Sequence, residues 1–175
     1  MHLRALTESD ISEDYLAWLN DPAVLRYRGP KAYPSNLAQL KRYVESIPAR
    51  GDLVLAICMK RTNRHVGNIA LNTILWIHRN AELSIMIGAK DIWGRGIGKE
   101  AINLITRHAF ESMGLHRLWA ESANPLFNAA VKSLGWTREG TKRETFLIDG
   151  QFADMECWSI LADEYFAAQK TKPRT

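Results

Sequence analysis

The chain has little cysteine, no long apolar run, no internal repeat and no strong excess of one charge. Two of its 175 residues are cysteines, Cys58 and Cys157, each within an apolar stretch. They read as buried free thiols, which argues against a secreted disulfide scaffold and against a cysteine-based metal cluster. No segment approaches the ~20 apolar residues of a membrane span, and Met1–Asp10 lacks the apolar centre of a signal peptide. The expectation is a cytoplasmic protein with no membrane partner and no metal. Lys plus Arg number 23 against 19 Asp plus Glu, a net charge of +4 that is scattered along the chain. Without a basic stripe interleaved with aromatics, a nucleic-acid partner is not expected. An anionic small ligand is compatible with this charge.

What is present is ordinary globular usage, 46% hydrophobic and 24% charged, enough to bury a core without staples. One domain over residues 1–168 is expected, with 169–175 as a flexible tail. Met1–Ala5 reads as a strand and Ile11–Leu19 as a helix that Asn20-Asp21-Pro22 stops. Ser35 is the expected N-cap of a second helix, ended by Pro48. Leu53–Met59, Val66–Leu71 and Ala81–Ile87 read as three strands of an antiparallel meander, with Thr73–Asn80 as a longer connection. A helix to about Ser112 follows, with Ile97, Ala101, Ile105 and Ala109 on one face. Leu115–Glu121 is a strand, and Asn124-Pro125 opens a short helix as N-cap and first residue. Asp149-Gly150 joins Thr145–Ile148 to Gln151–Leu161 as a hairpin. The class is α+β (mixed α/β). Trp119, Trp136 and Trp158 fall within strand patterns and read as packing.

The densest local signal is the turn Trp93-Gly94-Arg95-Gly96-Ile97-Gly98-Lys99, placed between a strand and a helix. Glycines allow a tight turn and a close ligand approach. Free amides and the helix dipole suit a phosphate or pyrophosphate, to which Arg95 and Lys99 could add charge. A Walker A loop is excluded because Glu100 follows Lys99 where Ser or Thr is required. The Rossmann fingerprint is excluded by the G-x-G-x-G spacing. Taken alone, the turn is equally readable as a plain chain reversal.

Its context resembles the GNAT superfamily of N-acetyltransferases, in the branch similar to ribosomal-protein N-terminal acetyltransferases. Gly96-Ile97-Gly98 matches the end of that family's cofactor turn, and Trp93 stands where Arg or Gln is typical. Asn124, Gly135-Trp136 and Glu139-Gly140 follow in the family order, and Leu16–Pro22 resembles its N-terminal helix. The resemblance implies a mostly antiparallel twisted sheet of about seven strands flanked by helices and splayed at the cofactor site. It implies acetyl-CoA as co-substrate. Ile85 and Ile87 would lie along the pantetheine arm, with the Ile87 backbone amide as oxyanion donor. The Trp93–Lys99 turn would hold the pyrophosphate, and Asn124 and Asn128 would reach the cofactor from the next helix.

In this reading an amine attacks the bound thioester directly, and Glu82 is the candidate general base. His78 is the weaker choice. Family members often carry Tyr or Ser as general acid on the helix after the Asn. Here Val131 and Phe127 stand at those positions, so no side-chain acid is assigned. Tyr27, Tyr33, Trp76 and His78 are the candidate acceptor-pocket residues. The leading expectation is acetylation of a small-molecule primary amine, an amino sugar among them. The alternatives are acetylation of a peptide N-terminus and a non-catalytic acyl-CoA-binding module. A homodimer is compatible with the chain.

Overall fold

A computed structural model describes residues 1–29 and 33–170. Seven strands form one sheet in the order β1-β2-β3-β4-β5-β7-β6. They are β1 (His2–Ala5), β2 (Leu53–Cys58), β3 (His65–Leu75), β4 (Asn80–Ile87), β5 (Arg117–Ser122), β6 (Thr137–Ile148) and β7 (Gln151–Leu161). The helices are α1 (Glu13–Trp18), α2 (Pro22–Leu25), α3 (Leu37–Arg50), α4 (Ile97–Glu111), α5 (Pro125–Ser133) and α6 (Ala162–Lys170). All neighbouring strands pair antiparallel except β4 with β5, which is parallel.

Both faces of the central strands are covered, and the residues divide between them with the period of two that the pleat imposes. Ile57, Leu71, Leu83 and Leu118 join Ile102, Ile105 and Val131 in the core under α4 and α5. On the opposite face Val54, Ala56 and Met86 pack with Tyr15, Leu40 and Val44 from α1 and α3. Trp136 and Trp158 are buried in the first of these cores, while Trp119 is half-buried.

Several boundaries differ from the sequence reading, each for a local reason. Helix α1 is shorter than Ile11–Leu19, because Ser12 caps it by accepting from the Tyr15 amide. Asp21-Pro22 stops one helix and starts the next: Asp21 caps α2, with Pro22 in its first turn. The N-cap of α3 is Asn36, not Ser35, and its side chain exchanges hydrogen bonds with Gln39 in a capping box. The Ser35 backbone is held instead by Asn20. Pro48 does not end α3. It sits inside the last turn, where the hydrogen bond forfeited is near the end anyway, and left-handed Gly51 stops the helix. Strand β3 runs on to Leu75, through a register shift at Thr73, whose φ is 50°. The expected long connection is therefore a tight turn over 76–79. Strand β6 begins at Thr137, eight residues before the expected Thr145, with bulges breaking its register. Helix α6 was not anticipated and takes in Gln169 and Lys170 of the expected tail. Glu164 accepts from the Leu161 amide at its start, and Ala162 and Tyr165 are its buried residues.

Gly67 marks a tight point in this frame. A Cβ built there would lie 2.2 Å from the Met86 carbonyl oxygen, a backbone atom of β4. Gly67→Ala forces the two strands apart at the end of β4 that leads to the glycine turn. A loss of about 1–3 kcal/mol is expected, equivalent to a fall in melting temperature of roughly 2–12 °C at this chain length. Thermal unfolding followed by circular dichroism checks it, and an unchanged midpoint would contradict the close approach.

Candidate active site

Strands β4 and β5 pair only over Asn80–Glu82 with Arg117–Trp119, and beyond that they diverge. The Gly88 amide bonds to Val66 on the β3 side. By alternation, Ile85 and Ile87 turn their backbone groups the other way, into the divergence. Two side chains meet those carbonyls there: Arg28 Nη1 donates to the Ile85 oxygen at 2.9 Å, and Trp93 Nε1 donates to the Ile87 oxygen at 3.0 Å. The neighbouring amides of Ile85 and Ile87 lie past the last β4–β5 pair.

The glycine turn lies at the end of this opening. Gly94 and Gly96 both have φ of 76°, in the left-handed region, and Gly96 is the N-cap of α4. It has no side chain to cap the helix, which leaves the first-turn amides available to an anion. A Cβ at Gly96 would meet nothing within 4 Å, so the space in front of the turn is open. Gly98 lies against the Ile85 and Ile87 side chains, with a notional Cβ 3.9 and 3.8 Å from them. The turn is thereby seated on the diverging strand. Arg95 and Lys99 are exposed or nearly so around it.

Helix α5 supplies the opposite wall. Asn124 caps it, its Oδ1 accepting from the Leu126 amide at 2.9 Å, and Pro125 follows in the first turn. Its Nδ2 has no partner among the described residues. Asn128 Nδ2 donates to the Ser122 carbonyl at 3.3 Å, but the buried Asn128 Oδ1 has no hydrogen-bond partner. A free amide donor and an orphaned acceptor among the described residues of the β5–α5 segment suit the amide groups of a pantetheine arm. With the open glycine turn, these residues fit acyl-CoA. Val131 is fully buried in the core, so α5 offers no proton donor at that position.

On the other side of β4 lies a cavity of about 290 Å³ enclosed by α1, α3 and the central strands. Tyr15, Arg28, Tyr43, Ser84 and Met86 are among its lining residues, together with Ile85 from the divergent segment. Glu82 lies two residues before Ser84 on the same strand face, opposite Asn72 on β3 and Trp119 on β5. It is half-buried. Burial pushes its carboxyl above the usual glutamate range, and the nearby Glu121 and Asp52 charges add to this, with Lys142 opposing. Lys142 itself pairs with Glu121 at 2.5 Å.

The β6–β7 hairpin reaches over the same side. Asp149 at its tip pairs with Arg26 just after α2 at 2.7 Å, and Phe146 lies by Gly29. Of the acceptor-pocket residues expected from sequence, none lines the cavity. Tyr27 stacks near the Arg26 guanidinium, 5.5 Å from ring centre to cation. Tyr33 is 80% exposed. Trp76 and His78 sit on the exposed β3–β4 turn, at the end of β4 away from the glycine turn. Tyr15, Arg28 and Tyr43, which line the cavity, are not among the residues expected from sequence. Tyr15 and Tyr43 lie on helices without a motif around them, and Arg28 falls in an irregular segment with no motif.

The family profile described as the acetyltransferase (GNAT) domain matches residues 1–136. The chain belongs to the GNAT acetyltransferase family. It is an acetyl-CoA-dependent N-acetyltransferase. Among its relatives is the uncharacterized N-acetyltransferase p20 of Bacillus licheniformis, 27% identical over 91% of this chain and 90% of that protein. Another is the spermidine N(1)-acetyltransferase of Vibrio cholerae, 31% identical over 57% of this chain and 58% of that protein. The crystal structure of spermidine N-acetyltransferase from Vibrio cholerae in complex with CoA and spermine superposes with a TM-score of 0.85. That match is 26% identical and covers 94% of this chain and 97% of that one. The seven-stranded, mostly antiparallel sheet with flanking helices matches the fold of these relatives, and acetyl-CoA is the co-substrate. Among the described residues no group of three or more His, Cys, Asp or Glu is arranged to hold a metal ion, and no helix is long and apolar enough to cross a membrane.

Two substitutions test the cofactor side. Gly96→Asp sets a carboxylate at the mouth of the turn, where an anionic cofactor end would meet it. CoA affinity should fall at least tenfold by calorimetry, by the weight of a charged contact, while circular dichroism shows the fold retained. Asn124→Asp keeps the oxygen that caps α5 but removes the Nδ2 donor. Weaker acetyl-CoA binding at an unchanged melting temperature is expected. A fall in stability with unchanged affinity would leave Asn124 as a cap alone.

Proposed function

We propose that the acceptor is the primary amine of a small molecule held in the cavity between α1, α3 and β4. The observation that carries this reading is the cavity itself. At about 290 Å³ it is near the small end of ligand-pocket sizes, and it touches the divergent segment of β4 through Ser84, Ile85 and Met86. The spermidine acetyltransferases among the relatives are consistent with a small amine. An amino sugar falls in the same size class.

Acetyl-CoA, when bound, supplies the activated acetyl group. The chain's own residues bind, orient and move protons. The Trp93–Lys99 turn receives the anionic end, and Asn124 and Asn128 receive the pantetheine amides. The Ile87 amide is a hydrogen-bond donor for the oxygen that gains charge during transfer. Arg28 and Trp93 fix the carbonyls of the same strand segment, so this donor is held without rearrangement. Positioning of the amine beside the acyl group accounts for much of the rate.

Glu82 helps remove the amine's proton, directly or through water. A lysine-like amine has a pKa of about 10.4, so its neutral form costs roughly 4–5 kcal/mol at pH 7, against roughly 1 kcal/mol for a peptide α-amine. A base therefore matters for aliphatic amines. The raised pKa of Glu82 strengthens it as a base relative to an ordinary carboxylate. Because the charged form is the active one, kcat/KM should fall as pH drops through a value above the usual glutamate range. Glu82→Gln should erase that limb and lower kcat about 10²–10⁴-fold at neutral pH, with CoA affinity unchanged. The deficit should shrink toward the acceptor's own pKa. Equal loss at every pH would mark Glu82 as orienting rather than deprotonating.

Thiol release from acetyl-CoA across aliphatic amines, amino sugars and peptide N-termini tests the reading as a whole. Turnover confined to peptides would overturn the small-molecule assignment. Cofactor binding with no turnover on any amine would instead indicate an acyl-CoA-binding module.

A further inference from the structure

We infer that the acceptor carries an oxyanion, a carboxylate or a phosphate, near its primary amine, and that Arg28 is the residue that selects it. This rests on the small-molecule reading above and names the substrate class within it.

The cavity has an unusual charge composition. Arg28 lines it, and among its described lining residues there is no Asp, no Glu and no Lys. Six other arginines among the described residues have a carboxylate partner. Arg26, Arg50 and Arg138 pair with Asp149, Asp52 and Glu156. Arg4 holds Asp10, Arg64 holds Asp91 and Arg117 holds Glu139, each through two hydrogen bonds. Arg28 has no carboxylate partner among the described residues. Among the described residues its one hydrogen bond is a single N–H to the Ile85 carbonyl, which leaves most of its five donors without a partner there. The titratable groups that act on its charge are Tyr15 and Tyr43, both in the cavity wall. Both tyrosines have pKa values pushed up by burial, so they remain neutral donors. Ser84 accepts from Asn72 Nδ2 at 2.8 Å and keeps its own hydroxyl proton to give.

A guanidinium fork with neutral hydroxyl donors around it suits a planar or tetrahedral oxyanion. It is poorly suited to a polycation, which would bring further positive charge beside Arg28 with no carboxylate in the cavity to receive it. The half-buried Glu82 carboxylate lies on the same face of β4, two residues from Ser84. Glu82 stands outside the lining, toward the Asn80 end of β4, while Arg28 stands within it. That polarity matches a zwitterionic amine, with its ammonium toward Glu82 and its oxyanion toward Arg28. Because Arg28 is anchored to the strand segment that faces the acyl group, an anion bound to it fixes the amine close to the point of transfer.

The test compares matched pairs by thiol release with acetyl-CoA: 2-aminoethyl phosphate against ethanolamine, and L-alanine against L-alaninamide, with spermidine as the polycation. In the wild-type protein at least one anionic member should exceed its neutral partner in kcat/KM by about 10- to 100-fold, the weight of a hydrogen bond to a charged group. The pair with the larger ratio tells phosphate from carboxylate. In Arg28→Gln that ratio should collapse toward one, mostly through KM, and Arg28→Lys should recover part of it. Using the ratio removes any general effect of losing the Ile85 contact. Calorimetry on the CoA-loaded protein with the same five compounds provides a readout that does not need turnover. Anion-selective binding without acetyl transfer would sink the acetyl-transfer reading and keep the assignment of Arg28. Preference for spermidine, equal binding of both members of each pair, or a ratio unchanged in Arg28→Gln would overturn the inference.

Discussion

The structure turns on one interrupted ladder. The β4–β5 pair is the only parallel pair in the sheet, and it holds for three residues at one end. Had pairing continued, the backbone of Ile85 and Ile87 would be consumed by β5, and no amide would be left to face a substrate. Parting the strands leaves polar backbone groups to be satisfied, at a cost when they are buried. The chain meets half of that demand with its own side chains, Arg28 and Trp93, which take the two carbonyls. The Ile85 and Ile87 amides lie past the last β4–β5 pair. Trp93 is explained by this arrangement: where the family more often has Arg or Gln, the indole N–H donates to Ile87 while the ring stays 43% exposed beside the turn.

Divergence in the middle of a sheet would weaken the molecule unless both faces were secured separately. The two cores do this. One binds β2 to β5 against α4 and α5, and the other binds β2 to β4 against α1 and α3. Ile57, Ile69, Leu71 and Leu118 are fully buried on either side of the opening. The chemistry therefore sits on a rigid frame while the reactive segment is held out of the ladder. The same division gives β4 two distinct sides. Side chains at Ile85 and Ile87 face the glycine turn, whereas Ser84 and Met86 face the cavity.

Much of this frame was legible in the residues. The meander β2–β3–β4, the Gly94–Gly98 turn, the Asn124-Pro125 start of α5 and the Asp149-Gly150 hairpin all rest on short-range chemistry that a sequence displays directly. Errors came where local signals competed. Ser35 and Asn36 are both good caps, and only the reciprocal Gln39 contact decides between them. Pro48 is a helix breaker in general but is tolerated in the last turn. The long β6 was hidden because its residues are nearly all exposed and its register is broken by bulges, so no clean alternation appears. The site divides in the same way. The glycine turn is contiguous and was visible. The cavity gathers Tyr15, Arg28, Tyr43 and Ser84 from four segments, and nothing in their spacing announces that they meet.

The Arg26–Asp149 contact joins two surface segments separated by 123 residues. Both side chains are largely exposed, and such pairs contribute little to folding free energy. Gly29 and Phe146, which meet beside them, belong to neither buried core. This outer contact is thus separate from the interior that keeps the protein folded. Changes at it can accumulate at small cost to stability, and the surface loops can vary while the frame stays intact.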